Sequence, residues 1–277
     1  MKISSLRLTG AFSLARPCQL LLPLLLLLGL SGLWEGAVRL WVRPDLIHTI
    51  YPLPSGIALS IYENYALLAR HTLVTLSEVV LGLGLAFVVG LALALMIFYS
   101  QALEHALYPL IIATQNVPVF AIAPLLVIWL GYGLWPKVIV TALIVFFPLV
   151  VNTVDGLRAT DEGLVHLFII LGASPWQTLI RLRLPAALPF IFAGLKVGVT
   201  LSVVGAVIGE WVGARAGLGY LMLKENHLLH ADLVFAAIVW LSALGLGLFA
   251  LASLLERLAM PWKRVARLEY SQSRQED

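Results

Sequence analysis

The chain has 277 residues, 61% hydrophobic and 12% charged, where soluble domains carry about 25% charged residues. At a mean hydropathy of +0.96 the apolar surface exceeds what a soluble core hides, so the sequence is that of an integral membrane protein in a lipid bilayer. A formal charge of +3 gives no nucleic-acid surface, and the single cysteine, Cys18, excludes an internal disulfide framework or a cysteine metal cluster.

A helical span takes about 20 mostly apolar residues. Lys2, Arg7 and Arg16 precede an apolar run from Leu20 to Leu33, as in a signal peptide. No clean small-x-small site follows, and Trp34-Glu35-Gly36 is a poor one. The reading is an uncleaved first span at 18–41 after an N-terminal segment, 1–17. Residues 42–69 mix Arg43, Asp45, His48, Pro54 and Glu63, and read as an outer loop ending in a short interfacial helix. Further spans are expected at 70–99, 106–132 (interrupted by Pro118 and Pro124), 134–153, 187–211 and 233–256. A patterned segment, 154–186, joins the fourth and fifth; an outer segment, 212–232, joins the fifth and sixth. A polar tail, 257–277, follows. The fold class is therefore all-α, a polytopic membrane protein with about six transmembrane helices and a core at 70–256.

With six spans both termini share a side. That side holds eleven Lys or Arg (2, 7, 16, 158, 181, 183, 257, 263, 264, 267, 274) and the other six (39, 43, 70, 137, 215, 224). The excess places both termini, and 154–186, in the cytoplasm. The 100–105 loop has no Lys or Arg and does not bear on this.

A charge at the bilayer centre costs roughly 2.5–3.5 kcal/mol even on mild scales. Glu78 and Glu210 lie in spans two and five, where they line a polar pathway, pair across helices or sit at headgroup level. Lys196 lies two turns into span five and is expected to snorkel to the inner surface. Lys137 opens span four at the interface. Gln115 and Asn116 precede Pro118 in an apolar context, and Asn152 ends span four. Pro118 frees a backbone carbonyl, which is tolerated beside a cavity or in packed protein. The candidate pathway-lining residues are thus Glu78, Gln115, Asn116, Asn152 and Glu210. Gly194 and Gly198, with the other glycines and alanines of the spans, signal close helix packing.

Enzyme motifs are missing. There is no Gly-x-x-x-x-Gly-Lys-Ser/Thr phosphate loop and no His-Glu-x-x-His. His227 and His230 are two possible ligands without a third. No cofactor, metal or catalytic residue is assigned.

The stretch from Thr160 to Gly194 is too long and too patterned for a connector. Gly172 is followed by nine residues and then Leu182-Arg183-Leu184-Pro185. This spacing resembles the cytoplasmic loop of the inner-membrane permeases of binding-protein-dependent ABC importers, written Glu-Ala-Ala, three residues, Gly, nine residues, Ile-x-Leu-Pro. His166, Leu167 and Phe168 stand at the Glu-Ala-Ala positions. Pro118-x-x-Ala-x-x-Pro124, Trp129-Leu130-Gly131-Tyr132-Gly133, Phe147-Pro148, Asn152-Thr153-x-x-Gly156 and Gly217-Leu218-Gly219-Tyr220 are similar to the nitrate, sulfonate, taurine and pyrimidine-precursor branch. Glu210-Trp211-Val212-Gly213 and Asp232-Leu233-Val234-Phe235-Ala236-Ala237 lean towards permeases for the thiamine pyrimidine precursor or riboflavin.

The resemblance implies a type I importer permease fold in the cell inner membrane. It implies a second permease subunit (a homodimer), a separate ATP-binding subunit dimer and an extracytoplasmic substrate-binding protein. It also implies that 162–179 is a short coupling helix seated on the ATPase, with Glu162, His166, Leu167, Ile170, Leu171, Gly172, Ala173, Ser174, Pro175, Leu184 and Pro185 forming the coupling loop. Glycine at 172 suits a tight turn, and Pro175 suits the first turn of a new helix. Two other classes stand beside this one. An ion-coupled secondary transporter lacks support from an inverted repeat with paired broken helices. A membrane-embedded enzyme lacks a converging set of acid, base and nucleophile.

Overall fold

The computed structural model describes residues 16–262, except for the side chains of 16–21 and 24. The N-terminal segment expected at 1–17, apart from the backbone of 16 and 17, and the tail from 263 onward lie outside the described residues.

The described chain is helical throughout. Helix α1 is Arg16–Trp41, α2 Pro54–Glu63, α3 Tyr65–Tyr99, α4 Gln101–Thr114, α5 Val119–Leu130 and α6 Leu134–Arg158. Then come α7 Glu162–Ile170, α8 Pro175–Thr178, α9 Leu184–Gly213, α10 Leu218–His227 and α11 Ala231–Ala259. Among the described residues α3, α6, the path from Pro175 to Gly213 and α11 are long and apolar enough to cross a membrane. Helix α1 covers the first expected span. The segment after α1 ends in a short helix, α2.

The third expected span is not one helix. Helices α4 and α5 meet at a bend of 98°. Pro118 cannot donate the backbone bond that would continue α4, and residues 115–117 fill the corner. The 100–105 loop also disappears. Ser100 alone separates α3 from α4, its hydroxyl accepting the Leu103 N–H at 3.3 Å.

The segment 154–186 is shorter as a connector than expected. Helix α6 runs on to Arg158, and α9 is entered through α8 and a wide π turn at Leu179–Arg183. The wide turn comes where the Pro185 ring would meet the carbonyl of Arg181 in a regular helix, and the Leu184 N–H reaches back to Leu179 O instead.

Helices α3, α6 and α9 form the centre, because small residues let their backbones approach. A Cβ at Gly194 would stand 2.9 Å from Pro148 O, one at Gly205 2.9 Å from Thr141 Cα, and one at Gly209 3.0 Å from Lys137 Cα. These glycines place one face of α9 directly on α6, the packing read from the small-residue pattern. From α3, Gly82 meets Thr141 in the same way, at 2.5 Å from its Cβ. Val79, Ala86, Val145, Leu149, Val203 and Ala206 fill the space between. At one end α10 packs Leu218 and Leu221 against Ile57 of α2, Leu68 of α3 and Ala236 and Ala237 of α11. At the other end Leu157, Leu179, Ala187 and Ile191 close the core. Large apolar side chains such as Leu246, Leu254 and Leu258 face outward, where acyl chains would solvate them.

Candidate functional site

The α7–α8 hairpin is built almost wholly from local signals. Asp161 caps α7, its carboxylate accepting the Leu164 N–H at 2.9 Å. Helix α7 ends in a Schellman turn. The Gly172 N–H bonds to Ile169 O and the Ala173 N–H to Phe168 O, both at 2.9 Å. Gly172 has φ +78°, a left-handed conformation that glycine adopts freely. Two residues later Ser174 opens α8 with a capping box: its hydroxyl accepts the Gln177 N–H at 3.2 Å, and the Gln177 side chain accepts the Ser174 N–H at 2.8 Å. Pro175 stands at the first helical position, where no N–H is needed.

The hairpin sits on a firm base. Leu179 is buried with Leu157, Ala187 and Ile191, and Leu184 packs at their edge beside Phe98. The Arg183 guanidinium lies 4.8 Å from the centre of the Phe98 ring and donates to Leu157 O at 3.4 Å. Arg158, closing α6, pairs with Glu104 of α4 at 2.7 Å.

The tip is apolar and bare. Ile170 is 81% exposed and Leu171 74%, with Leu164, Leu167, Ile169 and Trp176 exposed beside them. Single exposed apolar side chains are common on any protein surface, but here six cluster around one turn between two capped helices.

Glu78, Lys137, Lys196 and Glu210 each have a polar partner within the chain. Lys137, expected at the membrane interface, is buried in the bundle, and its ammonium donates to Glu78 Oε1, 59 residues away, because Gly209 admits the lysine stem between α6 and α9. Lys196 bonds Glu256, near the C-terminal end of α11, at 2.6 Å. Glu210 Oε1 accepts the Thr75 hydroxyl at 2.6 Å, and Oε2 accepts the N–H groups of Gly219 and Tyr220 at 2.5 and 3.1 Å. Glu78 and Glu210 thus lie inside the bundle. Gln115 and Asn116 are exposed at the α4–α5 corner. The Asn152 amide donates to Pro148 O of its own helix at 2.8 Å, beside Gly194. Glu162 and His166 lie on α7, Glu162 exposed in its first turn.

Contacts that the sequence reading did not anticipate carry much of this geometry. Ser174-x-x-Gln177 is a legible capping signal. Lys137–Glu78, Glu104–Arg158 and His48–Asp232 join residues far apart in the chain, and nothing in a single sequence pairs them.

A sequence profile described as binding-protein-dependent transport system inner membrane component matches residues 86–261. The chain is 40% identical over 250 residues to the formylaminopyrimidine transport permease protein ThiX of Halalkalibacterium halodurans, covering 90% of this chain and 98% of that one. It is 39% identical over 244 residues to the riboflavin transport system permease protein RibX of Chloroflexus aurantiacus, covering 87% and 90%. Among solved structures, an inward-facing form of the MetNI methionine ABC transporter shares the fold, with a TM-score of 0.63 at 19% identity over 71% of this chain and 98% of that one.

Proposed function

The chain belongs to the family of binding-protein-dependent transport system inner membrane components, the permease subunits of ABC importers, and on that premise we propose that it imports a vitamin or vitamin precursor, a thiamine pyrimidine precursor or riboflavin. The names of the two relatives support that substrate class. Two copies of the chain form the pathway. A separate pair of ATP-binding subunits hydrolyses ATP, and an extracytoplasmic binding protein delivers the solute. Both termini and the α7–α8 hairpin face the cytoplasm, in line with the Lys and Arg asymmetry.

The observation that carries the coupling role is the bare apolar tip on a buried base. Ile170, Leu171 and Trp176 would enter a groove on the ATPase, with Leu167 at its rim. Leu179, Leu184, Pro185 and Arg183 would pass the movement into α9. Closure of the ATPase pair would then switch the permease between two rigid arrangements. Gln115, Asn116 and Asn152 remain the proposed polar contacts for the solute, whereas Glu78 and Glu210 would act through helix packing.

The test is reconstitution of the permease with its ATPase and binding protein in lipid vesicles. A hydroxymethylpyrimidine compound or riboflavin should stimulate ATP hydrolysis and enter the vesicles. Stimulation by an alkyl sulfonate, taurine or nitrate alone would move the substrate assignment to that branch. Uptake driven by a sodium or proton gradient without ATP would refute the coupling role.

A further inference from the structure

Helix α5 is too short to cross a bilayer. Its 12 residues, Val119–Leu130, rise about 18 Å, against a hydrocarbon layer roughly 30 Å thick. One end is marked by the α5–α6 turn. There Trp129, Tyr132 and Trp135 are 72%, 76% and 66% exposed, as aromatic side chains are at headgroup level. The other end is the α4–α5 corner. It therefore lies inside the hydrocarbon zone, where Val119 and Ile122 pack in one cluster with Val140 and Ile144 of α6. Yet Gln115, Asn116 and Val117 are exposed at this corner, and among the described residues their carbonyl groups accept no hydrogen bond. Such backbone does not face lipid; at that depth it is covered by protein or lines water.

A cavity of about 320 Å³ adjoins the corner, bounded on one side by Thr114, the last residue of α4. Val89 and Leu93 of α3 and Leu143 and Phe146 of α6 form its walls, and the small, buried Ala86 and Ala142 leave the space between them. No charged side chain lines it. The Thr114 hydroxyl donates to Ile111 O at 2.6 Å, which leaves its oxygen able to accept a donor. The amides of Gln115 and Asn116 follow directly at the corner.

Granted the vitamin-importer reading, on which this rests, we propose that the cavity is the solute site and takes a neutral, single-ring aromatic heterocycle. The imported compound is then the thiamine pyrimidine precursor rather than riboflavin. Small-molecule sites run from about 300 to 1,000 Å³. A volume near the lower limit suits a single ring with short substituents, whereas a fused tricyclic flavin with its ribityl chain exceeds it. The apolar walls cover the ring faces, while Thr114 and the two amides meet amino and hydroxyl substituents at one edge. An alkyl sulfonate or nitrate would leave its charge unpaired between those walls. The exposed carbonyls of the corner keep water at the polar edge, so the solute enters and leaves on that side.

The test uses the assembled complex of permease, ATPase and binding protein. Cys18→Ser with Asn116→Cys puts a single thiol at the corner. In nanodiscs, a charged, water-soluble methanethiosulfonate should modify that thiol. A hydroxymethylpyrimidine compound should slow the reaction, and riboflavin should not. Val89→Trp changes a wall residue that is 41% exposed and should fill the cavity. Pyrimidine uptake into vesicles should then fall at least about tenfold, while the melting temperature and basal ATP hydrolysis hold. If Val89→Trp fails to assemble, the labelling decides alone. A thiol that reacts only with a lipid-soluble maleimide, or with neither reagent, overturns the proposal by placing the corner against lipid or against a second copy. Unslowed labelling in a complex that imports the pyrimidine overturns it as well. Uptake of riboflavin and not of the pyrimidine overturns it but leaves the vitamin-importer reading standing, whereas uptake of neither overturns both.

Discussion

Replacing Gly172 with valine tests the hairpin most sharply. A Cβ at this position meets no atom within 4 Å, so the substitution creates no clash with neighbouring residues. The cost comes from φ +78°. A left-handed conformation costs an ordinary residue about 1–2 kcal/mol, and a β-branched one at least that. Relief requires leaving the Schellman turn, which breaks the bonds to Ile169 O and Phe168 O and swings α7 relative to α8. A cost of about 1–2 kcal/mol shifts the turn population by roughly 5–30-fold. In proteoliposomes, uptake by Gly172→Val should fall by about that factor, while the chain inserts normally and basal ATP hydrolysis by the assembled complex persists. Gly172→Asn is the control, since asparagine tolerates the left-handed region, and it should retain most uptake. Equal uptake by the valine variant and wild-type complexes would refute the reasoning, as would loss of membrane insertion in both variants.

Three further expectations follow from separate contacts. Ile170→Asp should leave melting of the permease unchanged but weaken co-purification of the ATPase; an isoleucine buried at an interface contributes about 1.5–3 kcal/mol, or roughly 10–150-fold in affinity. Lys137→Ala should destabilise the chain by about 3–5 kcal/mol, read from thermal melting in nanodiscs, because it strips the buried Glu78 carboxyl of its counter-charge. Glu225 lies on α10, where burial raises its carboxyl affinity for protons but the His230 bond at 2.8 Å and Lys224 outweigh it, holding its pKa below the usual carboxylate value. Its contribution to stability is present above that usual value and is lost as the pH falls through the lowered one. Glu225→Gln should accordingly flatten the acid limb of a melting-temperature profile and leave the neutral region little changed.

The sequence made some of this structure legible because the cause was local. Apolar runs marked α3, α6, α9 and α11, since each must satisfy its own backbone in lipid. Gly172 and Pro175 announced the turn, and the glycines of span five announced close helix packing, though not that α6 is the partner. Ser174-x-x-Gln177 was equally readable. What stayed hidden depends on distant partners. Lys137 and Lys196 look like interfacial residues in the chain, and only the fold delivers Glu78 and Glu256 to them. The prolines of the third span mark an interruption, but the 98° bend between α4 and α5 depends on what those helices pack against.

The most direct measurement of the central claim is site-specific cross-linking at the hairpin tip. Cys18 is the one native cysteine, so Cys18→Ser with Ile170→Cys gives a single reporter. In inverted membrane vesicles containing the assembled complex, that reporter should cross-link to the ATP-binding subunit and resist labelling by a membrane-impermeant thiol reagent until that subunit is stripped away. Labelling of the introduced thiol from the opposite face of the membrane, or full labelling with the ATPase bound and no cross-link, would contradict the account.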